Sequence, residues 1–222
     1  MIFQDRRDAG RVLARAVAEL HDLGDAIVLG LPRGGVPVAY EVALELNLPL
    51  DVFVVRKLGV PGEEELAMGV IASGGTVVMN RSVVQQLDIS PEVIEAVSSR
   101  EKLEIERRER VYRDGCSPIQ VEGRTVILID DGLATGASML AAARALHLRA
   151  RQVIVAVPVA AERTCEELRK EVDQIICLTT PQPFFAVGAF YRNFIQTTDE
   201  EVRSLLSQAR SRQGLQVVQG EA

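Results

Sequence analysis

Short runs of consecutive apolar residues alternate along this chain with longer stretches in which apolar residues recur every three or four positions. AIVLG (26–30), LDVFVV (50–55), RTVILI (124–129), VIVAVPV (153–159) and QIICLTT (174–180) have the length and β-branched content of strands buried on both faces. Residues 5–22 place Val12, Leu13, Ala16, Val17 and Leu20 at helical spacing with charges between them, which predicts an amphipathic first helix. VPVAYEVALEL suits a second helix between the first two strands, and further helices are expected near 137–148 and 161–172. Strand-helix-strand units imply parallel pairing. The expected fold class is therefore α/β: an open, mostly parallel twisted sheet with helices on both faces, as a single domain over 1–222.

Residues 59–123 interrupt that rhythm. VIA (70–72) and TVVM (76–79), separated by SGG, predict a hairpin. Ser90-Pro91 then supplies an N-cap and first-turn signal for a long charged helix to about Arg113, with Glu104/Arg108 and Glu106/Arg110 at i,i+4 spacing. That helix reads as a solvated arm lying on the domain. After Leu206 the tail is polar, and fraying is expected there.

Composition narrows the function classes. Lys and Arg total 25 against 31 Asp and Glu, a net charge of −6 with a pI near 5.1, so a broad nucleic-acid footprint is not expected. Cys116, Cys165 and Cys177 are too few and too scattered for a disulfide framework or a CxxC metal site, and they read as reduced thiols. No apolar run approaches the roughly 20 residues of a membrane span, and no leader opens the chain, so a soluble cytoplasmic protein is expected. His21 and His147 fall on predicted amphipathic helices with no second ligand at metal spacing.

The candidate chemistry lies in VILIDDGLATGAS (126–138). In an open α/β sheet, ligands sit at the carboxyl ends of strands, and this strand delivers Asp130 and Asp131 to that edge. Gly132 lets the chain turn. Ala134-Thr135-Gly136-Ala137-Ser138 then offers backbone N–H groups and two hydroxyls where a helix begins, an arrangement that favours an anion. Acids beside an anion site are reconciled by a ligand carrying both hydroxyls and a phosphate, with a divalent cation balancing the charge. A sugar phosphate fits.

This segment resembles the ribose-phosphate signature of the type I phosphoribosyltransferases: four apolar residues, two acids, then a small-residue loop with Thr-Gly. The resemblance implies a Mg²⁺-dependent transfer of 5-phosphoribosyl from phosphoribosyl diphosphate (PRPP) to a nitrogenous, purine-like base with release of diphosphate. Asp130 and Asp131 would hold the ribose hydroxyls and reach the metal, directly or through water. Ala134 through Ser138 would wrap the 5′-phosphate, and Gly132 would belong to the same ribose- and phosphate-binding turn. By position, Pro32-Arg33-Gly34-Gly35 in GLPRGG corresponds to the diphosphate loop, in which the bond before Arg33 is expected to be a strained cis peptide. Arg56 and Lys57, read as closing the second strand, would join Arg33 in stabilising the leaving group. GVPGEEELAMG stands where the family carries its flexible catalytic loop.

Five of the nine Phe and Tyr residues fall within PFFAVGAFYRNF. They suit either a mini-core for a small hood over 181–198 with the N-terminal helix, or a stacking platform for a base, in which case Phe185, Val187, Phe190 and Tyr191 would be the base-binding residues. Ala134 stands where hypoxanthine-guanine members place a general-base Asp, a departure similar to the adenine and orotate branches. The alternative function is a non-catalytic PRPP sensor or regulator. An NTPase lacks its GxxxxGK[ST] partner, a dinucleotide fold lacks GxGxxG, and an enzyme that makes PRPP lacks an evident ATP site. Expected partners are PRPP and a base, with no membrane and no nucleic acid, and a homodimer is expected.

Overall fold

A computed structural model describes residues 1–21 and 23–214. Five parallel strands form the central sheet: β1 (Ile27–Gly30), β2 (Leu50–Val52), β6 (Thr125–Ile129), β7 (Gln152–Val159) and β8 (Gln174–Thr179), in the order β2-β1-β6-β7-β8. Along them, side chains alternate between two cores. Val28, Ile127 and Ile129 point into one, packed under α1 (Arg6–Ala18), α2 (Gly35–Leu46), α4 (Pro91–Arg113) and α7 (Asp199–Arg212). Ile27, Leu29, Val126 and Leu128 point into the other, under α5 (Ala137–His147) and α6 (Glu162–Leu168). Helices on both faces explain why these strands read as unbroken apolar runs.

The strand order reverses between β1 and β6, and the helices that follow these two strands, α2 and α5, lie on opposite faces. At such a switch point the loops after the two strands diverge and leave a crevice at the carboxyl edge.

A second, antiparallel sheet holds β3 (Val55–Val60), β4 (Glu63–Ala72) and β5 (Val77–Met79) in the order β3-β4-β5. The hairpin expected around SGG is present, pairing Gly69 with Met79 and Ile71 with Val77. Two expectations are corrected here. LDVFVV is not one strand: β2 ends at Val52, where Phe53 donates its N–H to the Gly30 carbonyl, and Ser73 donates to the Val54 carbonyl as the chain passes to the other sheet. GVPGEEELAMG is not an open loop but the paired arms of β3 and β4, turning at Gly62 with φ +84°.

The long helix α4 begins at Pro91 as expected, but it is no solvated arm. Val97, Glu101, Ile105, Tyr112 and Arg113 are buried on it, and it packs on α7 and the second sheet. Arg113 pairs with the buried Asp51 at 2.9 Å, and Asp51 also accepts from the Ile119 N–H. A short α3 (Arg81–Gln86), not expected from sequence, precedes it. α7 runs on past Leu206 to Arg212: Ala209 is buried and Arg210 donates to the Arg113 carbonyl at 2.7 Å, so the fraying expected after Leu206 does not begin there. The remainder of that tail, 215–222, lies outside the described residues. The helix expected over 161–172 stops at Leu168, and His21 lies beyond the end of α1. Cys165 and Cys177 are joined as a disulfide, with Cα atoms 7.0 Å apart, because α6 folds back onto β8; only Cys116 is a free thiol. Among the described residues, no helix is long and apolar enough to cross a membrane.

Candidate functional site

The crevice between β1 and β6 collects two of the segments singled out in the sequence. β1 is prolonged by Leu31, which donates to the Ile129 carbonyl at 2.9 Å, and the chain then turns through a cis peptide at Pro32-Arg33. Gly34 and Gly35 lie flat against the acids. A Cβ on Gly35 would stand 2.6 Å from the Ile129 carbonyl oxygen and 2.8 Å from Asp130 Cα, and one on Gly34 would overlap the Asp131 carboxylate. Glycine is required here by proximity, since no side chain fits between loop and acids.

Asp130 and Asp131 follow β6 directly, each using one carboxylate oxygen for structure. Asp130 Oδ1 accepts from the Asp131 N–H at 2.8 Å, and Asp131 Oδ2 accepts from Arg6 Nε at 2.7 Å. Among the described residues, no hydrogen bond reaches Asp130 Oδ2 or Asp131 Oδ1. Burial pushes the Asp130 carboxyl well above the usual carboxylate range, and the neighbouring Asp131 charge adds to the effect. Burial also raises Asp131, while Arg6 opposes the rise. A site that holds two half-buried acids against their own solvation is poised for a cation or for hydroxyl donors.

The turn that follows is pinned from both sides. Leu133 donates to the Val159 carbonyl, Ala161 donates to the Leu133 carbonyl, and Thr164 Oγ1 donates to the Ala134 carbonyl at 2.6 Å. Gly136 caps α5 in the left-handed region at φ +68°, with no side-chain cap. Ala134, Thr135, Ala137 and Ser138 are exposed, so the open amides of the first turn of α5 face solvent beside the Thr135 and Ser138 side chains. Gly132 packs tightly under Val187, whose methyl carbon a Cβ would meet at 2.6 Å.

The aromatic segment serves mainly as a mini-core. Phe3, Ala9, Val159 and Tyr191 are buried together, with Phe184, Val187 and Phe190 packed against them, and Phe184 stacks on Phe190 at 5.5 Å. Tyr191 donates its hydroxyl to the Asp131 carbonyl at 2.5 Å. Burial and the Asp131 carboxylate both raise its pKa far above the usual phenol range. Tyr191 is thus spent on holding the turn and has no open face to stack on a ligand, whereas Phe185 is 83% exposed. Phe3 and Gln4 run beside 190–193 through backbone hydrogen bonds: Phe3 donates to Phe190, Arg192 to Phe3, and Asn193 to Gln4. A cavity of about 260 Å³ opens beside Arg6, lined by Arg7, Pro37, Asn193, Gln196 and Thr197 among others.

With this geometry stand three comparisons. The family model of the phosphoribosyl transferase domain matches residues 68–191. The chain belongs to the phosphoribosyl transferase family. A Mycobacterium tuberculosis protein, provisionally named a phosphoribosyl transferase, is 45% identical over 209 residues, covering 94% of this chain and 47% of that protein. The chain thus spans about half the length of the curated relatives it matches. The crystal structure of TT1426 from Thermus thermophilus is 42% identical, covers 94% of this chain and 99% of that one, and superposes with a TM-score of 0.84.

Not every cation expected for a phosphoribosyl transferase site arrives there. Arg56 and Lys57 lie within β3 rather than at the end of β2, and they are engaged elsewhere: Arg56 with Glu101 at 2.8 Å, Lys57 with Glu65 at 3.1 Å. Arg33 is directed to Asp199 at 3.7 Å, and Tyr112 donates to the same carboxylate. Glu101 and Tyr112 are 11 residues apart on α4, roughly 16 Å at the helical rise. Arg33 and Arg56 are therefore anchored at well-separated points.

The donor set bears on Mg²⁺ as well. Among the described residues no group of three or more His, Cys, Asp or Glu could cage a metal. Magnesium is ordinarily held by one or two carboxylates together with water and substrate phosphates. The two free oxygens of Asp130 and Asp131 fit that mode. Arg6 was not singled out by sequence; its only signal was the doubled arginine in DRRDAGR at the start of a helix.

Proposed function

We propose that this chain transfers a 5-phosphoribosyl group from PRPP to a nitrogenous base and releases diphosphate, with Mg²⁺ as cofactor. The observation that supports the reading is the contact of the Gly34-Gly35 loop with Asp130 and Asp131, so that a loop suited to diphosphate and acids suited to ribose hydroxyls would be reached by one ligand. The ribose hydroxyls would donate to Asp130 Oδ2 and Asp131 Oδ1. The 5′-phosphate would take the amides of Ala137 and Ser138 with the Thr135 and Ser138 hydroxyls. Pro32 through Gly35 would hold the diphosphate by backbone and by Arg33.

In the reaction, the bond from C1 to the diphosphate oxygen breaks with its electron pair leaving on oxygen. The bond from C1 to the base nitrogen forms, and the nitrogen's proton goes to solvent or diphosphate. Bound Mg²⁺ would make diphosphate a better leaving group. The chain's own part is to orient the ribose and shield it. The base would sit on the hood side, where Val187 and Phe185 are accessible and the cavity beside Arg6 offers polar partners from Asn193 and Gln196; this lining favours a base rich in hydrogen-bonding groups.

One observation favours a second reading, a PRPP-binding regulator without catalysis: Arg56 and Lys57 are paired with Glu101 and Glu65, and would assist departure only after leaving them. The same experiment separates the two. PRPP with Mg²⁺ should raise the melting temperature, and Asp130→Asn with Asp131→Asn should abolish that shift; undiminished binding by the double variant would refute the site. Diphosphate release with one of a panel of bases supports the enzyme, whereas a shift without release from any base supports the regulator.

A further inference from the structure

Arg6 belongs to the first turn of α1, 125 residues from Asp131 in sequence, yet its side chain is only 11% exposed and makes three contacts. Nε donates to Asp131 Oδ2 at 2.7 Å, one terminal nitrogen donates to the Ile195 carbonyl at 2.7 Å, and the guanidinium lies 3.9 Å from the centre of the Phe194 ring. A planar guanidinium can satisfy an acid, a carbonyl and an aromatic face at once, in a way an ammonium cannot.

We propose that Arg6 is a positioning residue for PRPP: it fixes the Asp131 carboxylate so that Oδ1 faces the ligand, and it ties that acid to the 193–197 segment, so that ligand binding at Asp131 orders the segment. This rests on the reading of the site given above. Geometry distinguishes positioning from blocking. Arg6 takes Oδ2, the oxygen that lies against Gly34, and makes no bond to Oδ1. Tyr191 anchors the same residue through its backbone carbonyl. Removing Arg6 would leave a half-buried carboxylate without its guanidinium, the Ile195 carbonyl without this donor, and Phe194 held by its stacking on Tyr191 at 5.0 Å but without the cation. Partners that orient a metal ligand typically contribute 10–100-fold in metal affinity or activity, and an effect of that order is expected for a carboxylate that would bind PRPP together with Mg²⁺.

The test compares wild type with Arg6→Ala, Arg6→Lys and Asp131→Asn, measuring PRPP–Mg²⁺ affinity by calorimetry and amide exchange of 193–197 with and without PRPP. Arg6→Ala is expected to lose at least about tenfold in affinity and to show no PRPP-dependent protection of 193–197. Arg6→Lys should recover much of the affinity, because charge at Asp131 is restored. It should not recover the protection, since a lysine cannot also bridge Ile195 and stack on Phe194. A merely structural role would lower the melting temperature equally in both variants and separate neither readout. If Arg6→Ala does not fold, Phe194→Leu carries the test: the protection should fall and affinity should drop about threefold, the worth of one cation-π contact.

Affinity of Arg6→Ala equal to wild type, or tighter, overturns the proposal; the tighter case would mean that the ion pair competes with ribose. Failure of the underlying reading looks different, because then wild type itself binds no PRPP or Asp131→Asn binds it unchanged. Binding that is lost in Asp131→Asn and kept in Arg6→Ala defeats only the role given to Arg6.

Discussion

The carboxyl edge of β6 and the antiparallel sheet β3–β5 hold the two main groups of charged candidates, and they hold them by different physics. At β6, every strand residue is buried and Val126 through Ile129 are laddered on both sides, so the chain emerges at Asp130 with its direction already set. The acids are short, and the space around them is taken by Gly34 and Gly35 without room for a methyl. In the second sheet, β3 is mostly half-buried and the first half of β4 is open to solvent. Arg56 and Lys57 carry long side chains and have found Glu101 and Glu65. Burial preserves the aim of a short side chain, whereas a long, partly exposed cation goes to the nearest carboxylate.

The largest effect that could break this contrast is expected at glycine. Gly35→Ala places a methyl against backbone, at 2.6 Å from the Ile129 carbonyl and 2.8 Å from Asp130 Cα. Backbone cannot swing aside, so a loss of roughly 3 kcal/mol in stability is expected, together with loss of PRPP binding. Gly62→Ala, at the tip of the β3–β4 turn, meets nothing within 4 Å and strains only its φ of +84°; about 1 kcal/mol is expected there, with binding intact. Denaturant unfolding and calorimetry on the two variants decide it. Equal costs would mean that the crevice is as forgiving as the hairpin tip.

A smaller effect is expected at Arg56. Glu101 is buried, with Arg56 and the more exposed Arg100 as its ion-pair partners. Arg56→Met leaves that carboxylate under-paired, at about 1–3 kcal/mol. If Arg56 serves structure, PRPP affinity without acceptor should stay within roughly twofold of wild type, as for independent distant sites. A tenfold loss, about 1.4 kcal/mol, would show Arg56 leaving Glu101 for the ligand.

The same contrast governs what could be read from the sequence. β1, β6 and β7 announce themselves because strands buried on both faces are unbroken apolar runs, the half-buried edge strand β8 is apolar enough to follow them, and the Asp-Asp-Gly turn follows from where such a run stops. β3 was hidden: LDVFVVRK carries no local break, and the handover at Phe53 and Val54 is enforced by Gly30 and Ser73, remote in sequence. EEELAMG looks like a loop because its pairing partner is antiparallel and only half of β4 is buried. α4 looked solvated because two of its inward positions are the charged Glu101 and Arg113, whose partners Arg56 and Asp51 come from other elements. The aromatic cluster announced a mini-core, but nothing in PFFAVGAFYRNF reveals that Tyr191 reaches the Asp131 carbonyl. Arg6 was missed for the same reason, its partner lying on another element.

The smallest expected effect lies on the exposed face of α4, and it tests whether surface pairs there matter at all. Glu104 accepts from Arg107 at 2.8 Å and from Arg108 at 2.7 Å, and these hydrogen bonds pull its carboxyl from 4.5 down to about 2. A carboxyl whose folded value lies below its unfolded one stabilises the fold above the unfolded value and loses that contribution as pH falls toward the folded one. Glu104→Gln should therefore melt below wild type at pH 7 and approach it as pH falls from about 4.5 toward 2. Both arginines are substantially exposed, so solvent and side-chain entropy discount the pair. A difference of about 1 °C or less is expected at pH 7, shrinking further in 1 M salt. Several degrees at pH 7 and high salt would mean that α4 depends on this triad, and that its exposed face is less forgiving than the contrast with the β6 edge requires.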